Sequence, residues 1–483
     1  MREILRSTLK VGAATLASLL GWVVAGKIIS LQLGAAGVGL FGLLRHLLQY
    51  LVVFATLNGQ MALVQGIASR DVEAQGRFAG TVFRIQASLS LGLASLLLLG
   101  APWLGPLLIP HPQAVALLRW LALALLAASS QAYFIGLLNG LRRINDLVKS
   151  QAMGPLVVIG LIFPMIWLIR GGYAAGFALM LTLPGVAITL AAIWCVWQKD
   201  EFSLLLRGRF HRSDADYFIR MSAVLLATGL FTSGTQYFQS WIVARRLGLE
   251  QSGQFWVAWA LSMSYVTLLL GSYSTFYMPS LSRLTDPEAR RALMRSYLRL
   301  SLVAMPVLVS LVILFKPLLI HLMFSHELLP SLKVMRWMLI GDYFKGISWV
   351  LAFPMLAFRE MRWFFWTEVL LSLGMLACIW AWVAHGGSVE GLGALFMALY
   401  IFYALLMSLY VRRQHGFQWH RFELAWLLAG VALVLTSSLL SWNALRLTML
   451  HFGIETGMIA AFLVPLFFPS WRSVFHAVKG REP

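Results

Sequence analysis

The chain has 483 residues, 60% hydrophobic and 12% charged, with a mean hydropathy of +0.78 and a formal net charge of +19. A soluble domain of this length cannot hide so much apolar surface, and its only cysteines, Cys195 and Cys378, lie in apolar surroundings that suit neither a disulfide framework nor a cysteine metal site. What remains is a polytopic, all-α membrane protein.

A bilayer core takes about 20 mainly apolar residues per helical span, and about fourteen such stretches are present. In chain order they run approximately over 8–32, 39–67, 79–101, 113–138, 148–169, 175–196, 217–244, 253–281, 292–315, 332–357, 364–384, 391–411, 423–442 and 453–470. The first has no small-residue cleavage site and is followed by more membrane, so it is expected to be retained. Basic residues gather at alternate span ends: Arg142, Arg143 and Lys149, then Arg283, Arg290 and Arg291, then Arg412, Arg413 and Arg421. The intervening connections hold none at 34–38 and single residues such as Arg119, Arg170 and Arg446. This alternation is the positive-inside pattern, and it predicts that both termini are cytoplasmic. The net charge therefore belongs to loops that attract anionic inner-membrane lipids, and no nucleic-acid partner is expected.

The segment from Leu33 to Phe41 aligns without a gap on the segment from Leu247 to Phe255, sharing Leu-Gly at the start and Gly-x-Phe at the end. Six spans separate the two units, so both halves enter the membrane in the same orientation. Parallel repeats of this kind place a substrate between two lobes near the midplane and support alternating access. The expected domains are an N-terminal lobe at 1–207, a C-terminal lobe at 208–415, and two further spans with a tail at 416–483. The basic stretch 199–216 is the expected linker.

Charges deep inside these spans are the strongest functional signal, because a charge at bilayer depth costs at least roughly 2.5–3.5 kcal/mol and normally faces a cavity or a partner. Lys27 and Arg45 lie in the first two spans, where snorkelling is the competing reading. Asp342 and Lys345 sit three residues apart on one helix face, a spacing that also suits a neutralised structural pair. Arg245 and Arg246 close the seventh span on the side disfavoured for basic residues, as outer anchors or as ligands. Four cationic sites drawn from spans one, two, seven and ten point to an anionic cargo. Gly21 to Lys27 fits a G-x-x-x-x-G-K spacing, but Ile28 follows and the segment is one apolar helix, so it is not a phosphate loop. The histidines are scattered and form no H-E-x-x-H. No metal, cofactor or catalytic residue is expected.

Ala25-Gly26-Lys27, Gly34, Gly37-Val38-Gly39 and Arg45 together resemble the start of the Wzx-type flippases, bacterial exporters of lipid-linked oligosaccharides. The likeness is strongest to those handling O-antigen units and the enterobacterial common antigen unit, lipid III. Tyr277 to Leu284, Gly341-Asp342-Tyr343-Phe344-Lys345 and Glu368-Val369 are similar to segments of the same family. The resemblance implies a multidrug/oligosaccharidyl-lipid/polysaccharide exporter fold, MATE-like, with two six-helix lobes around a central cavity. It implies an undecaprenyl-diphosphate-linked oligosaccharide as cargo, flipped to the periplasmic leaflet for surface polysaccharide synthesis beside a polymerase and a chain-length regulator. Lys27, Arg45, Arg245, Arg246 and Lys345 are carried over as substrate-binding candidates, and Asp342 and Glu368 as ion-coupling or structural acids. The two C-terminal spans depart from the common antigen exporters and are found in peptidoglycan-precursor flippases.

Two other classes compete. A multidrug exporter of organic cations would share the fold, but Lys27, Arg45 and Lys345 would repel its cargo. A membrane glycan polymerase or ligase would need a large outer catalytic loop, whereas the connections near 102–112 and 316–331 are short.

Overall fold

The computed structural model describes residues 2–197, 210–445 and 447–467. Helices account for nearly all of them, and no strand is found among the described residues. Among the described residues, nine helices are each long and apolar enough to cross a bilayer, or ten if a bent pair over 212–246 is one span. The expected linker 199–216 lies mostly outside the described residues, as do the last residues of the expected span 453–470.

The chain forms two compact units, Met1–Gly253 and Gln254–Pro483. The first contains α1 (Arg2–Thr56), α2 (Gln60–Ala68), α3 (Val72–Leu108), α4 (Ala114–Gly140), α5 (Ile144–Arg170), α6 (Ala175–Trp197) and α7 (Arg212–Arg246). The first two expected spans are joined directly at the start of the 34–38 connection. They are two helical segments of α1 that meet at a sharp kink at Gly34, whose φ of 66° and ψ of −169° are non-helical values that glycine adopts without a steric penalty.

The second expected span, 39–67, is itself broken. Leu57 and Asn58 take positive φ values of 54° and 50°, and helix resumes only at Gln60. A break in an apolar helix frees backbone groups that must find partners. Locally, Asn58 N donates to Val53 O and Gly59 N to Thr56 O, both at 3.0 Å. Gln86 Nε2 of α3 adds a second bond to the Thr56 carbonyl at 3.1 Å, and the Asn58 side chain, through Nδ2, donates to Leu225 O of α7 at 2.7 Å. A window of hydropathy reads straight through this interruption, because Leu57-Asn58-Gly59 is only three residues long.

The repeated segments meet. A Cβ at Gly39 would lie 2.0 Å from Leu249 O, and one at Gly253 would lie 2.1 Å from Ala35 O. In the repeat alignment Ala35 corresponds to Leu249 and Gly39 to Gly253, so the contact is reciprocal. Neither glycine can take a side chain without moving backbone. Elsewhere in this unit, Asp214 at the start of α7 accepts from Arg70 Nη2 at 3.3 Å and Arg77 Nε at 3.1 Å. The Arg70 guanidinium also lies 4.1 Å from the Phe78 ring centroid, beside a core that includes Ile67, Tyr133 and Leu138.

The second unit contains most of α8 (Leu249–Arg283), then α9 (Pro287–Met323), α10 (Ser331–Ala357), α11 (Met361–Ala384), α12 (Val389–His415), α13 (Arg421–Leu440) and α14 (Met449–Leu463). Asp286 caps α9, accepting from Ala289 N at 2.9 Å, with Pro287 in the first turn. Gly416 ends α12 in the left-handed conformation.

The two C-terminal helices dock along α9. The fully buried Glu423 accepts from Arg299 at 2.7 Å, with Arg295 at 3.5 Å, and it also caps its own helix through His420 N. Midway, Ser437 donates to Ser310 at 3.2 Å. Further along, Lys316 of α9 and Glu455 of α14 are both buried. Opposite charges and hydroxyls thus fix α13 to α9, where an apolar match would leave its register open.

Candidate functional site: an amide-lined cavity and a buried charge cluster

Arg45 lies about three turns beyond the Gly34 bend, on the part of α1 that faces the inside of the first unit. It lines a cavity of about 640 Å³ walled by α1, α2, α4, α5, α6 and α7. The other long polar side chains there are Gln49, Gln60, Gln131, Gln151 and Gln236, with the Ser233 hydroxyl beside them. Among the described residues lining it, Arg45 is the only charge, and none is a carboxylate. Its neighbour His46, about 100° further round the helix, meets Ser240 Oγ of α7 at 2.8 Å, which holds the rotation of α1 with Arg45 on the cavity wall. Arg45 therefore faces a cavity rather than snorkelling.

The break at 57–59 helps shape this cavity. Gln60 opens α2 and is one of the lining residues, while Gln49 lies one turn beyond Arg45 on α1. An unbroken helix would place residues 57–60 on a different path.

In the second unit Asp342 and Lys345 of α10 are completely buried, with Lys345 Nζ 3.8 Å from Asp342 Oδ1. Ser262 of α8 donates to Asp342 Oδ1 at 2.7 Å and Tyr265 to Oδ2 at 2.5 Å. The lysine ammonium lies 5.4–5.5 Å from the ring centroids of Trp349, Phe396 and Tyr400, and 3.1 Å from Met263 Sδ. This is a desolvated ion pair whose cation also meets aromatic faces. Glu368 of α11 is half-buried and interacts with Tyr403, and Tyr400 feels both Glu368 and Asp342. The structure thus gathers Asp342, Lys345 and Glu368 around two tyrosines of α12.

None of the remaining candidates lines the Arg45 cavity. Lys27 is half-buried on α1 before the Gly34 bend and is not among the lining residues of the Arg45 cavity. Arg245 and Arg246 are exposed at the end of α7. The first of them reaches Pro106 O at 3.3 Å and lies over the Trp241 ring at 5.4 Å.

Sequence reasoning missed the glutamines. They fall on five helices with no spacing in common, and an uncharged amide in an apolar run does not stand out as a lysine does. The available signal was that each lies inside an expected membrane span or at its edge.

A family model described as "Polysaccharide biosynthesis protein" matches residues 33–333. The lipid III flippases of Escherichia coli (strain K12) and Shigella flexneri are each 23% identical to this chain over 406 residues, covering 83% of it and 96% of their own length. Among solved structures, an inward-facing MATE-family multidrug resistance transporter of the MOP superfamily superposes with a TM-score of 0.67 at 16% identity, covering 83% of this chain and 94% of its own. The lipid II flippase MurJ, in an inward closed conformation, superposes with a TM-score of 0.59 at 13% identity, covering 99% of this chain and all of its own. The latter likeness, which is one of fold, takes in α13 and α14 as well. With more than half of its length matched, the chain belongs to the polysaccharide biosynthesis protein family.

Proposed function

We infer that this protein is a flippase that moves a lipid-linked oligosaccharide across the membrane. It is a transporter and not an enzyme, as its flippase relatives are. The observation that carries the reading is the Arg45 cavity: one cation, a set of amides and no acid, inside an exporter fold. An organic cation would meet repulsion there, which disfavours the multidrug alternative. An anionic head finds a charge-assisted hydrogen-bond donor in a low-dielectric surrounding. No bond is broken in the transfer, so no catalytic group is needed, and the prenyl tail can stay in lipid while the head crosses.

The finer assignment is an undecaprenyl-diphosphate-linked unit carried to the periplasmic leaflet of the inner membrane, for surface polysaccharide of the O-antigen or enterobacterial common antigen type. A polymerase and a chain-length regulator would then act on the product. Two six-helix lobes joined near residue 207 would alternate access to the cavity. Of the two acids considered for ion coupling, Asp342 is already engaged by Ser262, Tyr265 and Lys345, which leaves half-buried Glu368 as the better placed. Deleting the gene and analysing the lipid extract by mass spectrometry tests the cargo. A prenyl-diphosphate-linked oligosaccharide should accumulate, and an unchanged lipid profile would contradict the reading.

The orientation, with both termini cytoplasmic, rests on the basic loops. In a chain with Cys195 and Cys378 replaced, cysteines at the exposed positions Arg142, Asp286 and Arg413 should resist a membrane-impermeant thiol reagent applied to spheroplasts. One at the exposed Glu250 should react. The reverse labelling pattern would invert the topology.

A further inference from the structure

The five cavity glutamines are placed as a recognition surface. They come from α1, α2, α4, α5 and α7 and converge on one space of about 640 Å³, within the roughly 300–1,000 Å³ range of cavities that hold a ligand of drug size. A side-chain amide carries two N–H donors and a carbonyl acceptor without net charge. Sugars present the matching groups: a hydroxyl donates and accepts, and an acetamido group offers one N–H and one C=O.

Amides in a membrane protein are costly to leave unmatched, so five around one cavity imply either water or a polar occupant. The placement of Arg45 decides between these. Water alone does not call for a cation, whereas a glycan joined to a diphosphate presents neutral hydroxyls and an anionic group on one molecule. The missing carboxylates agree, since an acid on this wall would repel the diphosphate while adding little to hydroxyl binding.

We propose that Gln49, Gln60, Gln131, Gln151 and Gln236 read the sugar portion of the cargo, a neutral oligosaccharide rich in hydroxyl or acetamido groups, while Arg45 holds its anionic end. This rests on the flippase reading above and adds to it the residues that determine which glycan is accepted. The amides form short, directional bonds that depend on each hydroxyl's position, so replacing them changes sugar preference. The arginine responds to charge and is indifferent to the sugar.

The test uses the full-length protein in nanodiscs and two probes: bare undecaprenyl diphosphate, and the lipid-linked oligosaccharide accumulated by cells lacking the protein. Gln131→Leu with Gln236→Leu keeps the volume and removes the amides, and it should weaken binding of the glycan-bearing lipid by about ten-fold or more. Binding of the bare lipid should stay unchanged. Arg45→Ala should weaken both. Gln49→Ser with Gln60→Ser, at two exposed positions of α1 and α2, is the second variant and should show the same selective loss should the first pair fail to fold. Equal loss for both probes, or none for the glycan-bearing one, overturns the glutamine assignment and leaves the flippase reading standing. A wild-type protein that binds neither probe, or a deletion that accumulates no such lipid, overturns both.

Discussion

Replacing Arg45 with alanine should stop export of the lipid-linked unit while the protein still inserts in the membrane. Arg45 is the one charge among the described residues lining the cavity, so no neighbour there can replace it. Loss of a hydrogen bond to a charged group costs about 1.5–3 kcal/mol, roughly ten-fold or more in affinity. Lysine at this position keeps the charge but loses the planar fork that grips two phosphate oxygens at once, so Arg45→Lys should retain part of the activity. Lys27→Ala is the contrast, because Lys27 lies outside that lining and its loss should reduce export less. The readout is polysaccharide delivered to the outer face per amount of inserted protein. Equal effects at the two positions would argue that the cavity does not define the path.

Lys345→Met should lower stability by about 3–5 kcal/mol, the usual cost of stranding one member of a buried ion pair. Asp342 would keep its bonds from Ser262 and Tyr265 but lose its counter-charge in a site closed to solvent. Asp342→Asn should be milder, since Lys345 would retain Trp349, Phe396 and Tyr400 around its ammonium. The double variant Asp342→Asn, Lys345→Met removes both charges and should recover most of the loss. Thermal unfolding of the purified protein in detergent measures all three. A Lys345→Met protein as stable as the wild type, yet inactive in export, would move this lysine from the framework to the cargo.

These two predictions separate residues that look alike in the sequence. Arg45 and Lys345 are both cations in apolar runs, and composition alone makes both substrate ligands. The i, i+3 spacing of Asp342 and Lys345 hints at the difference, but only the approach of α8 and α12 shows that the pair is enclosed. Arg245 and Arg246 were conspicuous for lying on the disfavoured side of the membrane, and the structure places them exposed at a helix end.

The helical class and most spans were legible because hydropathy over about 20 residues is a strong signal. The repeat was legible too, and its glycines proved to be where the two segments touch. The interruption at 57–59 was not legible, because the side-chain bonds that anchor it, from Gln86 to Thr56 O and from Asn58 to Leu225 O of α7, join parts far apart in the chain. The cavity glutamines were hidden for the same reason: their meaning lies in convergence, which only the packing supplies.

The most direct test is transfer by the purified protein alone. In proteoliposomes loaded on one leaflet with the lipid-linked oligosaccharide, wild-type protein should make the sugar accessible to an impermeant glycan-modifying enzyme on the opposite side, and Arg45→Ala should not. Transfer at the same rate in protein-free vesicles and with both proteins would contradict the assignment of this chain as the flippase.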